Sequence, residues 1–294
     1  MVVQHSTYGQ LIELPRCAGA EVTLWKWRLS NAGTRWEQDV TELEGLVRPN
    51  TTLIILTVPS NPTGAVTTRP ELERIVDIAK RQSIMVMCDE VFRFLHHNDQ
   101  ATPPPSLLEL GYDYSVVTGS ISKAFALPGV RCGWIASSPQ LRHTVFECIA
   151  QTRDYTTIAV SQVDQSIAAF ALADNVRSQI LHRSSAICRH NFEKLSSWAL
   201  RNRAWVDYIP PSGGGTCVMR IRDRAGKPVD DSASAAMLAH EERVCVPPAG
   251  LCFGHEADGS GETDMQGFRR IGIVMSGDVL DRGLQAIKRL RIRT

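Results

Sequence analysis

The sequence predicts an α/β protein: a large domain built on a mainly parallel sheet covered by helices, then a smaller C-terminal α+β domain. Three observations lead there. Short runs apolar on both faces alternate with helix-period stretches, as expected of parallel strands packed between helices. The 294 residues allow two domains at about 150 residues each. After residue 201 the texture changes to short strands and helices on a quick cycle, which marks a second, smaller unit.

Taken in order, Thr52 to Val58 is β-branched, apolar and closed by Pro59, a buried strand. Arg69 to Arg81 is a helix: Leu72, Ile75, Val76 and Ala79 fall at helical spacing, and Pro70 suits a first turn. Ile84 to Cys88, Ser115 to Thr118 and Cys132 to Ala136 are three further strands. From about Pro139 to Arg201 the chain is mostly helical, with apolar periodicity over Val163 to Leu172. Strands over Trp205 to Ile209 and Thr216 to Ile221 flank a turn at Pro211-Ser212-Gly213-Gly214-Gly215. A helix over Ala233 to Glu242 follows, then a short strand at Val244 to Val246, a strand at Arg270 to Val274 and a final helix over Val279 to Arg291. The large domain is placed at 1–180, and the linking helix with the small domain at 181–294. The Gly-, Asp- and Glu-rich stretch from Gly250 to Gly267 is expected to be a mobile surface loop.

Composition removes several function classes. Lys and Arg number 32 against 31 Asp and Glu, a net charge of +1, which argues against a dedicated nucleic-acid binder. With 43% hydrophobic and 21% charged residues, the chain is neither disordered nor fibrous. No apolar run reaches the roughly 18 residues of a membrane span, and the start lacks the features of a secretory signal. No membrane partner and a cytoplasmic location are therefore expected. The eight cysteines stand singly with no CxxC, so neither a zinc framework nor a disulfide scaffold is expected, and they read as reduced, mostly packing thiols. His96-His97 lacks partners at ligand spacing, so no metal is expected. Gly213-Gly214-Gly215 is not followed by Gly-Lys-Ser/Thr and reads as a tight turn rather than a phosphate loop.

Three segments put polar residues at the C-terminal ends of expected strands, the edge where open parallel sheets bind ligands. Ser60-Asn61-Pro62-Thr63-Gly64 is by itself an ordinary turn composition. Cys88-Asp89-Glu90 ends an apolar strand with a carboxylate, which must meet a cation or polar ligand, or else cap a helix. Ser120-Ile121-Ser122-Lys123, with Arg131 eight residues after the lysine, offers two hydroxyls, an amine and a planar guanidinium. That set can surround a phosphate and supply a nucleophile, or be a solvated surface.

Together the three segments resemble the class I/II (fold type I) pyridoxal-phosphate-dependent aminotransferases, from about His5 to the C-terminus. The resemblance implies pyridoxal 5'-phosphate as cofactor, amino acid and 2-oxo acid substrates, and a homodimer. By motif, Lys123 resembles the lysine that forms the Schiff base and shuttles a proton between the substrate α-carbon and the cofactor C4′. Asp89 matches the carboxylate paired with the pyridine nitrogen, which keeps the ring an electron acceptor. Asn61 matches the hydrogen-bond partner of the phenolic oxygen. Ser120 and Arg131 match phosphate ligands, and Ser122 lies beside them. Tyr8 matches an aromatic that stacks on the ring; a core tyrosine is the alternative. Phe268-Arg269-Arg270-Ile271-Gly272 resembles the family's Arg-Ile-Gly strand, so Arg270 is assigned to the substrate carboxylate, and Arg269, on the opposite face by alternation, to the surface. Pro248 to Gly254 resembles a loop beside the active site.

Two departures stand out. Phe92 occupies the place, three residues after Asp89, where the family usually has Tyr, so one hydrogen bond to the phenolic oxygen is lost. The family's N-terminal segment, with a phosphate-cradling loop, does not precede Met1; the expectation is a truncated chain that exposes apolar surface. Transamination is the leading reading. Elimination or cyclisation in secondary metabolism is a second, suggested by a resemblance of His5 to Tyr8, Asp89 to Arg93 and Arg153-Asp154-Tyr155 to capreomycidine-synthase-like members. A non-catalytic relative that keeps the fold is a third.

Overall fold

The computed structural model describes residues 1–97, 103–253 and 265–293. The chain opens with strand β1 (Val2–His5), helix α1 (Gln10–Cys17), strand β2 (Thr23–Lys26) and a small hairpin of β3 (Arg28–Leu29) and β4 (Trp36–Glu37). Helix α2 (Val40–Leu46) leads to β5 (Leu53–Thr57), α3 (Arg69–Arg81), β6 (Met85–Asp89), β7 (Ser115–Ser120) and β8 (Gly133–Ser137). Three helices follow: α4 (Arg142–Asp154), α5 (Gln162–Leu172) and the 28-residue α6 (Asp174–Arg201). The last part holds β9 (Val206–Tyr208), β10 (Thr216–Ile221), α7 (Asp231–Glu241), α8 (Ala249–Phe253), β11 (Phe268–Gly272) and α9 (Gly277–Arg293).

The first six-stranded sheet has the order β2-β1-β5-β6-β7-β8. Every pair is parallel except β7 with β8. Strand β8 therefore departs from the parallel pattern, and returns along β7 through the turn that holds Lys123. Strand β5 is buried along nearly its whole length, whereas β6 buries Val86 and Cys88 and leaves Met85 and Met87 half-buried on the other face. Helix α3 shows why one face suffices: Leu72, Ile75, Val76 and Ala79 are all buried. Leu72, Ile75 and Val76 each contribute about 1.5–3 kcal/mol by burial, and the Ala79 methyl less. Pro70 lies in its first turn, and the Thr68 N–H donates to Glu71 at 2.7 Å, closing the helix start.

The second sheet is antiparallel, with order β11-β10-β9, and packs under α6, α7 and α9. Helix α6 runs unbroken across the expected 180/181 boundary and ties both halves together. Its buried Asn191 donates to the carbonyls of Ile273 at 3.0 Å and Met275 at 2.6 Å, just beyond β11. A second seam lies at the glycine-rich turn. The N–H groups of Ser212 and Gly213 donate to Gly64 O at 2.9 and 3.0 Å, and Gly214 N–H to Leu95 O at 2.8 Å. A Cβ at Gly64, where φ is +70°, would stand 2.3 Å from Pro211 Cβ, so only glycine admits this approach. The run read as a tight turn is thus also the contact between the two halves.

Some expectations shift. Val244 to Val246 forms no strand; Pro248 alone makes an isolated bridge with Arg269. Pro247 and Pro248 lack the N–H groups that a ladder needs. The strand expected at Arg270 to Val274 lies two residues earlier, at β11. The elements before residue 50 were not assigned from sequence: β1 is four residues long, and α1 contains Pro15 and buries only Ile12. Cys88, Cys188 and Cys217 are packing thiols, but Cys17, Cys148, Cys245 and Cys252 are exposed, so burial is not the general rule for them. Apolar surface is exposed on β8 and α4 to α5: Trp134, Ile135, Phe146, Tyr155 and Phe170 among others. Of the expected loop from Gly250 to Gly267, residues 249–253 form α8, and residues 254–264 lie outside the described residues.

Candidate active site

Parallel strands β5, β6 and β7 end side by side. Their register puts Thr57 beside Asp89, and Asp89 beside Thr118. Asp89 accepts from Val91 N–H at 3.1 Å and from the Thr118 hydroxyl. Burial pushes its pKa above the ordinary carboxylate value, while those two hydrogen bonds and the Lys123 charge pull the other way. The net direction is upward: this is a half-buried carboxylate short of a full counter-ion, and a cationic group placed against it would favour its charged form. The neighbouring Glu90 is spent on structure, accepting from Leu107 N–H at 2.8 Å and the Ser106 hydroxyl at 2.9 Å.

Lys123 follows β7 in a turn pinned by three buried neighbours, Ile121, Ala124 and Phe125. Its carbonyl accepts from Ala126 N–H at 3.0 Å. Its side chain remains exposed, with Nζ 5.8 Å from the centroid of the Phe92 ring. Phe92 thus offers Lys123 an aromatic face and no hydroxyl.

Asn61 is buried in the turn after β5, where Gly64 N–H donates to Ser60 O at 2.9 Å and Ser60 N–H to Ala65 O at 2.8 Å. Arg270 reaches it from the other half of the molecule, its Nη1 donating to Asn61 Oδ1 at a long 3.5 Å. The guanidinium lies 4.9 Å from the centroid of the Phe253 ring. Burial lowers the Arg270 pKa, opposed by Cys252, Cys245 and Tyr8 nearby. Tyr8 is thereby placed near Arg270, and its ring is 45% exposed, so it is not the core tyrosine that stood as the alternative.

Asn61, Phe92, Ser122, Lys123 and Arg270 line one cavity of about 820 Å³ between the two halves. That is within the range of about 300–1,000 Å³ usual for small-molecule sites. Ser120 and Arg131 stand outside this lining. Ser120 Oγ accepts from Ser122 N–H at 3.2 Å, a local turn contact. Arg131 is exposed, has φ +53°, and donates to the Pro128 carbonyl at 2.8 Å. The structure thus brings Lys123, Asn61, Ser122 and Arg270 together around a cavity, sets Asp89 within electrostatic reach of Lys123, and leaves Arg131 at the periphery.

The assignment of Arg269 to the surface is overturned. Arg269 is fully buried; it donates to Gly267 O at 3.4 Å, Asp230 O at 3.2 Å and the Ser234 hydroxyl. Burial lowers its pKa to about 10, against the nearby charges of Asp231 and Asp230. Alternation correctly separated the two arginines, but the far face of β11 is covered by the start of α7 and by α8. Sequence reasoning also passed over Phe253 as the platform for Arg270, although it lay in the quoted Pro248 to Gly254 stretch; Gly254 is outside the described residues. His97 is a packed ring, stacked 5.0 Å from Phe192, with its pKa lowered by burial to about 4. Among the described residues no cluster of three His, Cys, Asp or Glu could hold a metal ion, and no helix is long and apolar enough to cross a membrane.

The model of the aminotransferase class I and II family matches residues 1–287. Capreomycidine synthase from Streptomyces vinaceus is 29% identical over 287 residues, which cover 98% of this chain and 67% of that protein. Among solved structures, a PLP-dependent aminotransferase from Streptococcus suis 89-1591 superposes with a TM-score of 0.84 at 30% identity, covering 99% of this chain and 70% of that one. The PLP-dependent cyclase OrfR superposes with a TM-score of 0.80 at 26% identity, covering 100% of this chain and 72% of that one. The chain spans about half to two thirds of the length of the curated relatives it matches. The family's cofactor is pyridoxal 5'-phosphate. The donor set fits it: an accessible amine and a buried amide line one cavity, and a half-buried carboxylate short of a counter-ion stands within electrostatic reach of the amine.

Proposed function

The chain belongs to the aminotransferase class I and II family, and from that premise we propose that it is a pyridoxal-phosphate-dependent aminotransferase moving an α-amino group between an amino acid and a 2-oxo acid. One observation supports this most: Lys123, Asn61 and Arg270, from three separate segments, line a single cavity, with Asp89 within electrostatic reach of Lys123. In this reading Asp89 keeps the cofactor's pyridine nitrogen protonated, and Asn61 meets the phenolic oxygen. Ser120, Ser122 and Arg131 take the phosphate, and Tyr8 stacks on the ring. Pyridoxal phosphate, when bound, supplies an electron sink for the charge left on the substrate α-carbon. Arg270 binds the substrate carboxylate in its planar fork, which orients the α-carbon toward Lys123. Lys123 removes the α-proton and returns it on the other side of the transfer, an exposed amine free to swing. Phe92 holds that amine against an apolar face and donates nothing to the cofactor. The same reading carries a cytoplasmic homodimer, by likeness to the family.

A second reading is elimination or cyclisation at the same residues. It is favoured by the similarity to capreomycidine synthase and to the cyclase OrfR. Products separate the two: a 2-oxo acid with aminated cofactor for transamination, and unchanged cofactor for the other.

The first test is visible absorbance of the purified chain with pyridoxal phosphate, before and after borohydride, beside Lys123→Ala. A band that depends on Lys123 and is trapped by reduction supports a working site, and an amino-donor screen then separates the two reactions. No band from well-folded protein overturns both and leaves a non-catalytic relative.

A further inference from the structure

The chain changes its direction of progress across the large sheet between β1 and β5. From β1 it passes through α1 to β2 on one side, and from β5 through α3 to β6 on the other. An open parallel sheet leaves a crevice beyond its strand ends at such a point. Here β1 and β5 pair only at Val2 with Ile54 and Val3 with Ile55. Strand β1 pairs with β2, and β5 with β6, along their full lengths.

Buried side chains take over where that ladder stops. Thr57 N–H donates to Gln4 Oε1 at 2.9 Å, a side-chain carbonyl standing in for a backbone one of β1. Gln4 Nε2 donates in turn to Gln38 Oε1 at 2.7 Å and to Thr67 Oγ1 at 3.2 Å. One step further out, the hydroxyls of Thr7 and Thr57 meet at 2.7 Å. Gln4, Thr7 and Thr57 are all buried. Two apolar groups of the same shape would fill the gap as well, so the hydroxyl pair adds a short, directed contact that packing alone does not.

The pair joins two residues of the candidate site. Thr7 directly precedes Tyr8, and Thr57 stands opposite Asp89 in the β5–β6 ladder. Ser60 Oγ donates to Ser6 O at 3.3 Å, so the turn that carries Asn61 is tied to the same segment. The Tyr8 ring is exposed, and its place therefore follows from its backbone. We infer that Thr7 and Thr57 are positioning residues: their hydroxyl contact, backed by Gln4, fixes Tyr8 relative to Asp89, so that the aromatic ring lies over a pyridine whose nitrogen meets the carboxylate. The inference rests on the functional reading above for the roles of Tyr8 and Asp89.

The test compares Thr7→Val, Thr57→Val and the double valine with Thr7→Ser, which keeps the hydroxyl. Three quantities are read: the urea midpoint, the pyridoxal phosphate Kd by absorbance titration, and hydrogen exchange of the Leu11 amide in the cofactor-free chain. That amide donates to Tyr8 O at 2.9 Å and reports on the turn. Each single valine leaves a buried hydroxyl without its partner, so Kd and exchange should both rise about tenfold. The double valine removes both polar groups, so its urea midpoint should return toward the parent's. Its Kd should stay at least about fivefold weaker and its exchange fast, whereas Thr7→Ser should keep Kd within about threefold of the parent. A double valine that regains cofactor affinity along with stability overturns the inference and leaves an ordinary packing pair. Single valines that move neither Kd nor exchange overturn it too. If a single valine does not fold, the double variant decides. If the parent gives no Lys123-dependent band, the functional reading fails, and exchange decides alone: fast in the double valine supports the positioning role, parent-like overturns it.

Discussion

Asp89 and Arg131 are both assigned to the cofactor by their places in the motif, yet the chain holds them in different ways. Asp89 ends a central parallel strand. Its neighbours Thr57 and Thr118 stand in register on either side, and its carboxylate is half-buried and hydrogen-bonded. Arg131 ends a single turn before the sheet's edge strand, is exposed, and donates a hydrogen bond to the Pro128 carbonyl of its own loop. The contrast teaches where precision comes from. A residue at the end of a paired strand inherits its position from the ladder, whereas a residue on an edge turn depends on whatever packs against it. The exposed Trp134 and Ile135 on β8 belong to that second region.

Substitutions should separate the two regions. Asp89→Ala is expected to cost about 2–5 kcal/mol in pyridoxal phosphate binding, as when one partner of a buried charge pair is truncated. An absorbance titration measures it, and a loss under tenfold would mean that the strand-end carboxylate does not face the ring. Phe92→Tyr is the next largest. A hydroxyl donated to an anionic oxygen contributes about 1.5–3 kcal/mol, so the pH midpoint of the visible band should move down by about one to two pH units. An unmoved midpoint would show that Phe92 lies too far from that oxygen.

Arg269→Ala tests the buried face of β11. Removing a fully buried donor set from the Gly267 and Asp230 carbonyls should destabilise the fold by about 1–3 kcal/mol in urea unfolding. Arg270→Ala should change stability by less, since Arg270 is only part-buried and makes one long hydrogen bond. If Arg270 proves the more costly, the division between a structural and a binding arginine is wrong. Arg131→Ala is expected to weaken cofactor binding by only about 0–1 kcal/mol, and less at high salt, because an exposed cation is screened. A loss as large as that of Asp89→Ala would abolish the contrast between the two regions.

The smallest effect concerns pH. Without cofactor, burial holds the Asp89 pKa above its unfolded value. Stability tied to its protonated form is complete below the unfolded carboxylate range and is lost as pH rises through the folded pKa. Asp89→Asn cannot ionise, so the parent's urea midpoint should fall relative to this variant across that window. Parallel curves would mean that Asp89 meets a counter-charge even in the empty chain.

The strands ending at Asp89 and Ser120 were legible in the sequence because both faces are apolar, and the helix over Arg69 to Arg81 because its periodicity and Pro70 agree with its burial. The spacing of Asn61, Asp89, Lys123 and Arg131 is likewise local information, since each lies at or near the end of a strand: Asp89 closes β6, Asn61 and Lys123 follow β5 and β7, and Arg131 precedes β8. Alternation along β11 separated Arg269 from Arg270, but could not say that the far side would be covered, because α7 and α8 reach it from elsewhere in the chain. For the same reason the strand expected at Val244 to Val246 failed: its ladder depended on donors that Pro247 and Pro248 lack.

Local patterning thus determined which residues end strands, which faces are apolar and which chemistry the motif carries. Tertiary packing decided the rest: that Arg270 meets Asn61 across the seam at Gly64 and Gly213, that Phe253 lies by its guanidinium, and that Thr7 meets Thr57 beyond the β1–β5 ladder. The physical reason is that hydrophobic periodicity is set by each element's own burial, whereas the meeting of side chains 209 positions apart depends on how whole elements dock.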